Sequence, residues 1–321
     1  MRKISTLVIS ILLVLVLVAG CANQPAAAPA KEKFPNKAIS LVAHTAPGGG
    51  GDVFARQLGK AIQTATGNTV VIDNRSGGSG AVALQYVAES KPDGYTLLGI
   101  TDTMIITPIN NNIPKDLSSF KPVARVVLDP NVLYVRADSK WTADSMLEAI
   151  FKGKQNIKWA ASQAGTPETA VIDTLIKKHN AKISSVLMGD GSKALTAVLG
   201  GDVEASVAEI AEIKPQLDAK QVKILMSFNS QRNPASPDIP TFAEKGYPDL
   251  SIDKFRGIAA PKDTPDEIVK ILEDAIKKAL EDPEYKKTYT ANMQIPAFQG
   301  SAEFQKTITA KTELYKKAFA K

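Results

Sequence analysis

Short apolar runs alternate with segments of helical periodicity through most of this chain. In its first part, apolar runs at 39–45, 69–73 and 96–101 predict strands. Residues 52–66, and a segment ending at residue 89, carry apolar positions at helical spacing and predict helices. This alternation of strands and helices predicts a parallel sheet with helices on both faces.

A second series of the same kind follows, and extended segments at 122–135 and 251–260 connect the two series. Two α/β units connected in this way predict two lobes around a cleft, with the ligand beyond the carboxyl ends of the strands. The strands are predicted at 157–161, 183–187, 203–207 and 222–228, and the helices at 168–179, 192–199, 265–280, 283–288 and 302–319.

The amino terminus resembles a bacterial export signal. Arg2 and Lys3 precede an apolar stretch at 4–18, which is too short for the roughly 20 residues that span a bilayer. The following Leu-Val-Ala-Gly-Cys resembles a lipobox, and Cys21 is the only cysteine. We therefore expect a lipoprotein signal peptide at 1–20 and a lipid on Cys21; an ordinary signal peptide with a chance cysteine is the alternative.

Residues 21–33 are rich in Ala and Pro and predict a flexible tether. Later segments are too short or too polar to cross a membrane, so the folded part is expected outside the cytoplasm, anchored to a bacterial membrane by lipid. The net charge of +6 comes from scattered lysines interleaved with acids. No basic stripe with aromatic residues is present, so we expect no nucleic-acid partner.

Residues 46–52, Ala-Pro-Gly-Gly-Gly-Gly-Asp, connect a predicted strand to a predicted helix. Successive glycines let backbone N–H groups converge, and a helix amino terminus adds partial positive charge, so this loop suits an anion. A flexible connection without a ligand is the alternative. Asp52 is expected to cap the helix. The P-loop is excluded because no Gly-Lys-Ser/Thr is present.

Two further loops connect a strand to a helix, at 161–168 and 188–192. In the first, Thr166 suits an N-cap and Pro167 the first helical position. Loops of this kind facing each other across a cleft are typical of a receptor that closes on its ligand.

The sequence contains no complete motif for an enzyme or a metal site. Residues 78–83 match GxGxxA, but the next strand ends at Thr101 without the acidic residue that a dinucleotide site needs. Ser79 misses the nucleophile elbow because Ala81 stands where a glycine is required. His44 and His179 are the only histidines, and His44 ends the first strand beside the glycine loop, where packing or hydrogen bonding is favoured over catalysis. We therefore expect no enzyme, no metal and no cofactor.

Several segments in this order resemble the extracytoplasmic receptors of tripartite tricarboxylate transporters, the Bug family. The segments are Phe-Pro-Asn-Lys at 34–37, the glycine loop at 46–52, Val-Ile-Asp-Asn-Arg at 71–75, Lys-Pro-Asp-Gly-Tyr-Thr-Leu-Leu at 91–98, Ala-Ala-Ser at 160–162, Asp-Ile-Pro-Thr-Phe-Ala-Glu-Lys-Gly-Tyr-Pro at 238–248 and Phe-Arg-Gly-Ile-Ala-Ala-Pro at 255–261. The resemblance covers nearly the whole chain from Phe34.

The resemblance implies a two-lobed periplasmic binding protein fold of type II. One lobe would comprise 34–122 and 254–321, and the other 123–253. Family members hold carboxylates mostly through backbone amides and bridging waters from the first glycine loop and the first loop of the second lobe, while the end of the third strand completes the pocket wall. The residues implied here, together with those of the other loops, are Thr45, Pro47, Gly48, Gly49, Gly50, Asp52, Thr101, Asp102, Thr103, Ser162, Gly165, Thr166, Gly189, Asp190 and Glu209.

Departures from the family pattern leave the ligand open. His44 stands where proline is usual, and Ala208-Glu209 replaces an Asp-Asn-type pair. Asp102 and Glu209 would bring negative charge to an anion site. Either they point away from the cleft, or the ligand carries a cationic group such as an amine. The expected ligand is thus a small carboxylate or an amino acid.

The resemblance implies a monomeric receptor, without catalytic activity, that delivers its ligand to integral-membrane transporter subunits. One alternative is a sensory receptor that presents its ligand to a membrane kinase, with the same fold and site. A second alternative, an extracytoplasmic hydrolase, is opposed by the lack of a Ser-His-acid set.

Overall fold

The structure is a computed structural model that describes residues 34–111, 113–233 and 235–318. The predicted signal peptide, the lipid-bearing Cys21 and the predicted tether lie outside the described residues. All the elements below belong to one compact unit, Lys37–Lys321.

Within the described residues, ten strands and ten α-helices alternate along much of the chain. The strands are β1 (Ile39–Ala43), β2 (Val70–Asn74), β3 (Thr96–Thr101), β4 (Phe120–Arg136), β5 (Ile157–Ala161), β6 (Ile183–Leu187), β7 (Ala205–Glu209), β8 (Val222–Ser227), β9 (Asp253–Pro261) and β10 (Ile295–Gly300). The helices are α1 (Gly50–Thr66), α2 (Ala81–Ala88), α3 (Thr103–Asn111), α4 (Ala143–Lys152), α5 (Pro167–His179), α6 (Gly191–Gly200), α7 (Ile210–Asp218), α8 (Asp266–Ala279), α9 (Pro283–Ala291) and α10 (Ser301–Ala318).

The described strands form one hydrogen-bonded sheet in the order β2-β1-β3-β9-β4-β7-β5-β6, and β8 and β10 also pair with β4. β1 is parallel to β2 and β3, and β5 is parallel to β6 and β7. β9 and β4 are antiparallel to their neighbours. The parallel pairs agree with the sequence pattern, whereas the central part of the sheet is mixed.

The long strand β4 changes partners along its length. Its residues 120–130 pair with β9, and residues 131–136 pair with β7 and β8. This defines a first strand group, consisting of β1, β2, β3, β9, β10 and residues 120–130 of β4. The second strand group consists of β5 to β8 and residues 131–136 of β4. The change of partner lies further along β4 than the lobe boundary predicted at 122/123.

Caps explain where the helices beside the cleft begin. Thr166 caps α5 in a reciprocal arrangement with Thr169, and Pro167 occupies the first turn, as the sequence predicts. Asp190 caps α6 by accepting a 2.8 Å hydrogen bond from the Lys193 N–H.

The core is divided in the same way as the strands. A cluster around Val42, Leu98 and Phe255 lies in the first group, and two clusters, around Trp159 and around Tyr134, lie in the second. Burying apolar side chains of this kind contributes about 25 cal/mol of folding free energy per Å² of apolar surface. Each strand group therefore has an apolar core of its own.

Three helices have no counterpart in the sequence-based prediction, namely α3, α4 and α7, and neither does strand β10. α3 and α7 each contain a proline, Pro108 and Pro215, which interrupts the local signal for a helix. The predicted cap of α1 is wrong: Gly49 is the N-cap, without a side-chain bond, and Asp52 lies inside the first turn.

Candidate ligand-binding site

A cavity of about 300 Å³ lies where the carboxyl ends of β1, β5, β6 and β7 meet. The glycine loop and α1 line one side, and the loops before α5 and α6 line the other. The amino termini of α1, α5 and α6 thus border the cavity, and so do those of α2, α3 and α7, through Gly80, Thr103 and Glu209. A helix amino terminus carries about half a positive charge and exposes N–H groups, which favours an anion.

Three of the six N–H groups at residues 46–52 are bonded within the loop or to the preceding Thr45. Gly48 donates to Asp52 Oδ2 at 2.9 Å, Gly49 donates to the Ala46 carbonyl at 3.0 Å, and Asp52 donates to Thr45 Oγ1 at 2.9 Å. These bonds shape the loop rather than bind a ligand. Among these glycines, Gly50 donates outside the loop.

Gly50 N–H donates a 2.8 Å hydrogen bond to Glu212 Oε1. Glu212 lies in α7, the helix that directly follows β7 of the second strand group, so this bond crosses the cavity. A methyl group at Gly191, the first residue of α6, would lie only 3.2 Å from Glu212 Oε2. The Glu212 carboxyl group therefore stands between the amino termini of α1 and α6, in a place that suits a carboxyl group.

Two buried cations from β9 form the floor of the cavity. Lys254 donates to Glu168 at 2.7 Å and also bonds Glu209, and all three side chains are about 95% buried. Burial lowers the pKa of Lys254, but Glu168 and Glu209 outweigh it, so the pKa is raised overall and the ammonium group stays charged.

Arg256 lies next to this pair and is 2% exposed. Its guanidinium bonds Asp129 and donates a 3.1 Å hydrogen bond to Glu209. Burial acts to raise the pKa of Glu209, but Lys254 and Arg256 together lower it, so Glu209 is ionised at neutral pH. Each of the two cations thus forms salt bridges with two carboxylates of the protein.

The Glu212 carboxyl group behaves differently. Burial, and then the adjacent Glu209, raise its pKa well above its usual 4.5. It shares a hydrogen bond with Glu209 and, among the described residues, forms no salt bridge. Glu168, Asp190 and Glu209 also line the cavity, and each has a cationic partner.

His44 lines the cavity next to the first turn of α1. Burial, with Arg256 and Lys254 nearby, lowers the pKa of its imidazole to about 3, so the ring is neutral at physiological pH. Its Nδ1 atom is buried and has no hydrogen-bond partner among the described residues. His44 thus adds no charge to the cavity, and its Nδ1 atom lies against Gly51 in the first turn of α1.

A second contact crosses the cavity at Ser79. Its Oγ lies 3.0 Å from both Gln163 Oε1 and the Ala164 carbonyl oxygen, so the hydroxyl can donate to either. This contact and the bond from Gly50 to Glu212 both connect the two sides of the cavity.

The structure brings ten of the fifteen predicted ligand-binding residues to the cavity wall. They are Thr45, Pro47, Gly49, Gly50, Thr103, Ser162, Thr166, Gly189, Asp190 and Glu209. The other five, Gly48, Asp52, Thr101, Asp102 and Gly165, do not line it.

Asp102 and Asp52 have structural partners instead. Asp102 is fully buried, accepts from Phe255 N–H at 2.8 Å, and bonds Lys311 at 2.7 Å and Tyr315 at 2.6 Å. The carboxylate therefore holds α10 against the first strand group. Asp52 accepts from Gly48 N–H and from Arg56 at 3.0 Å, which fixes the glycine loop.

Four charged residues of the site escape the sequence-based prediction: Glu168, Glu212, Lys254 and Arg256. Lys254 and Arg256 alternate along β9 with residue 255 between them, and this spacing on an apolar strand was the available signal. Glu212 lies on the unpredicted helix α7.

Residues 54–318 match the sequence model of the tripartite tricarboxylate transporter family receptor. The chain belongs to this family. The receptor is 29% identical over 258 residues to a protein in the tcbD-tcbE intergenic region of Pseudomonas sp. (strain P51), covering 79% of this chain and 76% of that one. It is 27% identical over 276 residues to Protein BugT of Bordetella pertussis (strain Tohama I), covering 84% and 85%.

Solved structures share the fold of this receptor. A structure described as a periplasmic transporter matches with a TM-score of 0.83 and 27% identity, over 90% of this chain and 98% of that one. An R. palustris protein with adipate matches with a TM-score of 0.81 and 24% identity, over 89% and 97%. MatC from Rhodopseudomonas palustris with bound malate gives 0.76 and 23%, over 89% and 99%.

These matches confirm the family and the periplasmic binding protein fold that the sequence predicts. The family consists of receptors and not enzymes, and the same holds for this chain. In the part of the chain that the structure describes, no helix is long and apolar enough to span a membrane. Within the same residues, no cluster of three His, Cys, Asp or Glu side chains is arranged to hold a metal ion.

Proposed function

We propose that this receptor binds a small carboxylate in the cavity between the two strand groups and delivers it to a tripartite tricarboxylate-type membrane transporter. The observation that carries the proposal is the convergence of several helix amino termini, among them those of α1, α5 and α6, on one cavity of about 300 Å³. The two R. palustris proteins of the same fold are described with adipate and with malate, both small dicarboxylates.

The contacts across the cavity support closure on a ligand. Gly50 to Glu212 and Ser79 to Gln163 are single hydrogen bonds across the cavity, whereas salt bridges from Lys254 and Arg256 to Glu168 and Glu209 join its two sides at the floor. We propose that the lobes predicted from the sequence, 34–122 with 254–321 and 123–253, separate by breaking these bonds. A ligand that binds the closed form better than the open form would drive the closure.

Calorimetric titration of the soluble protein, begun at Ala22, tests the proposal. The protein is first unfolded and refolded to remove bound ligand, and its fold is checked by circular dichroism. We expect a carboxylate to bind with a dissociation constant of about 1 μM or tighter, equivalent to about −8 kcal/mol. If no carboxylate or amino acid binds the folded protein, the proposal fails.

We further propose that the receptor is attached to a bacterial membrane, outside the cytoplasm, by a lipid on Cys21. The support is the lipobox-like sequence before Cys21, the only cysteine in the chain. Mass spectrometry of the membrane fraction should show a mature protein that begins at a diacylated Cys21, and Cys21→Ala should release the protein from membranes. An unmodified thiol or a different mature start would contradict the anchor.

A further inference from the structure

The charges at the cavity are unbalanced. Lys254 and Arg256 are already engaged by Glu168, Glu209 and Asp129, so three carboxyl groups surround two cations. Glu212 adds a fourth carboxyl group, and among the described residues it forms no salt bridge. The two buried cations therefore leave no positive charge unpaired for a ligand.

A ligand with two carboxylates would bring further negative charge against this surplus of acids. The amino termini of α1, α5 and α6 offer partial positive charge, and Glu212 itself shows that a carboxyl group fits between two of them. One carboxylate can therefore be held there. A second carboxylate would lie near Glu209, which is ionised, in a region of low dielectric constant, where like charges repel strongly.

Glu212 is positioned to receive a cation. Its carboxyl group reaches the cavity from α7, and it is held by Gly50 N–H and by a hydrogen bond to Glu209. Burial and the adjacent Glu209 raise its pKa, and an ammonium group beside it would favour the ionised form.

His44 adds a neutral polar ring to the wall of the cavity. Its buried Nδ1 has no hydrogen-bond partner among the described residues, and its ring lines the cavity. Because the ring is neutral, one of its nitrogens is an acceptor, and an ammonium group is a donor.

From this arrangement we propose that the ligand is an amino-carboxylate, whose carboxylate lies at the helix amino termini and whose ammonium group is received by Glu212. The inference rests on the proposed receptor function and specifies its ligand class. Such a zwitterion supplies the cation that the site lacks and adds no net charge to it.

Matched ligand pairs that differ by an amino group test this directly. Succinate is compared with aspartate, glutarate with glutamate, and butyrate with 4-aminobutyrate, by calorimetric titration of the refolded wild-type protein. In at least one pair, the amino member should bind about tenfold or more tightly than its partner.

The Glu212→Gln variant then identifies the residue responsible. It should reduce the preference for the amino ligand to about threefold or less. Glu148→Gln, an exposed change of the same kind on α4, should leave the preference intact.

The outcomes separate this inference from the receptor function. If simple carboxylates bind as tightly as their amino partners or more tightly, the ligand class proposed here is wrong and the receptor function stands. If nothing in either set binds, the receptor function itself fails, and this inference fails with it. A preference that persists in Glu212→Gln would overturn the role of Glu212. Because the wild-type pairs already decide the ligand class, a variant that does not fold leaves the test valid.

Discussion

Gly50 N–H donates a 2.8 Å hydrogen bond to Glu212 Oε1, although the two residues lie 162 positions apart in the chain. The bond joins the first turn of α1 to a carboxyl group of α7 across the cavity. A side chain of the receptor thus occupies the kind of place at which a helix amino terminus binds an anion. The charges and close packing around this carboxyl group lead to four predictions.

Replacing Glu212 with Gln should change how stability depends on pH. Burial and Glu209 raise the pKa of Glu212 well above 4.5 in the folded protein, so the folded state holds this proton more tightly than the unfolded chain does. The wild-type protein therefore loses stability as the pH rises from about 4.5 towards the folded-state pKa. The amide of Gln does not titrate, so the advantage of Glu212→Gln should grow by up to about 1.4 kcal/mol per pH unit in that window. Urea denaturation of ligand-free protein between pH 5 and 9 measures it, and a difference independent of pH would refute the assignment.

Replacing His44 with Gln should have the opposite pH dependence. The folded protein lowers the pKa of His44 from 6.5 to about 3, so the unfolded chain binds the proton more tightly. The stability that the neutral ring provides is complete above pH 6.5 and is lost as the pH falls from there towards 3. Relative to His44→Gln, the wild type should lose up to about 1.4 kcal/mol per pH unit below pH 6.5. Thermal and urea denaturation from pH 7.5 to 5 check this, and parallel curves for the two proteins would contradict it.

Removing the Lys254 ammonium group should destabilise the protein strongly. Lys254→Met leaves Glu168 without its buried partner, and breaking a buried ion pair in this way costs about 3–5 kcal/mol. The double variant Lys254→Met with Glu168→Gln should recover part of the loss, since no uncompensated charge then remains on Glu168. Lys270→Met, which removes exposed ion pairs on α8, is the matched control and should show no measurable change. Equal effects of the two single changes in chemical denaturation would show that the buried network is not important for stability.

A methyl group at Gly50 should disturb the floor of the cavity. A Cβ there would lie 2.5 Å from Arg256 Nη2 and 3.1 Å from Glu212 Oε1, so the guanidinium must move out of its ion pairs. Gly50→Ala should cost about 1–3 kcal/mol of folding free energy and should weaken ligand binding. The control, Gly200→Ala at the end of α6, meets Asp202 at 3.4 Å, an ordinary contact, and should be neutral or slightly stabilising. Calorimetry and urea denaturation of both variants decide it; wild-type behaviour of Gly50→Ala would mean that Arg256 is not held as described.

The secondary structure was predictable wherever the local pattern is strong. The bounds of β3, β5 and β6 are those that the apolar runs predict, and Thr166 and Pro167 begin α5 as expected. These features depend on side chains within a few residues of one another, so the local sequence contains the necessary information. The helix α7 escaped because Pro215 interrupts its pattern, and the site residue Glu212 escaped with it.

The partners of the charged residues could not be read from the sequence. Asp102 and Glu209 are both acidic residues that follow predicted strands. In the structure Asp102 bonds Lys311 and Tyr315, whereas Glu209 lines the cavity. The difference arises from the elements that pack on each side of the strand, since α10 covers Asp102 while β9 brings two cations to Glu209.

The sequence by itself indicated the family through the order of its motifs. It also determined the α/β class and most of the loops around the cavity, because apolar periodicity, glycines and caps act over short distances along the chain. Only the tertiary structure decided the electrostatics of the site. Lys254 meets Glu168 across 86 positions, and Gly50 meets Glu212 across 162, through the order in which the strands assemble. A charged side chain carries no local mark of its partner, and the burial that sets its pKa comes from elements remote in sequence.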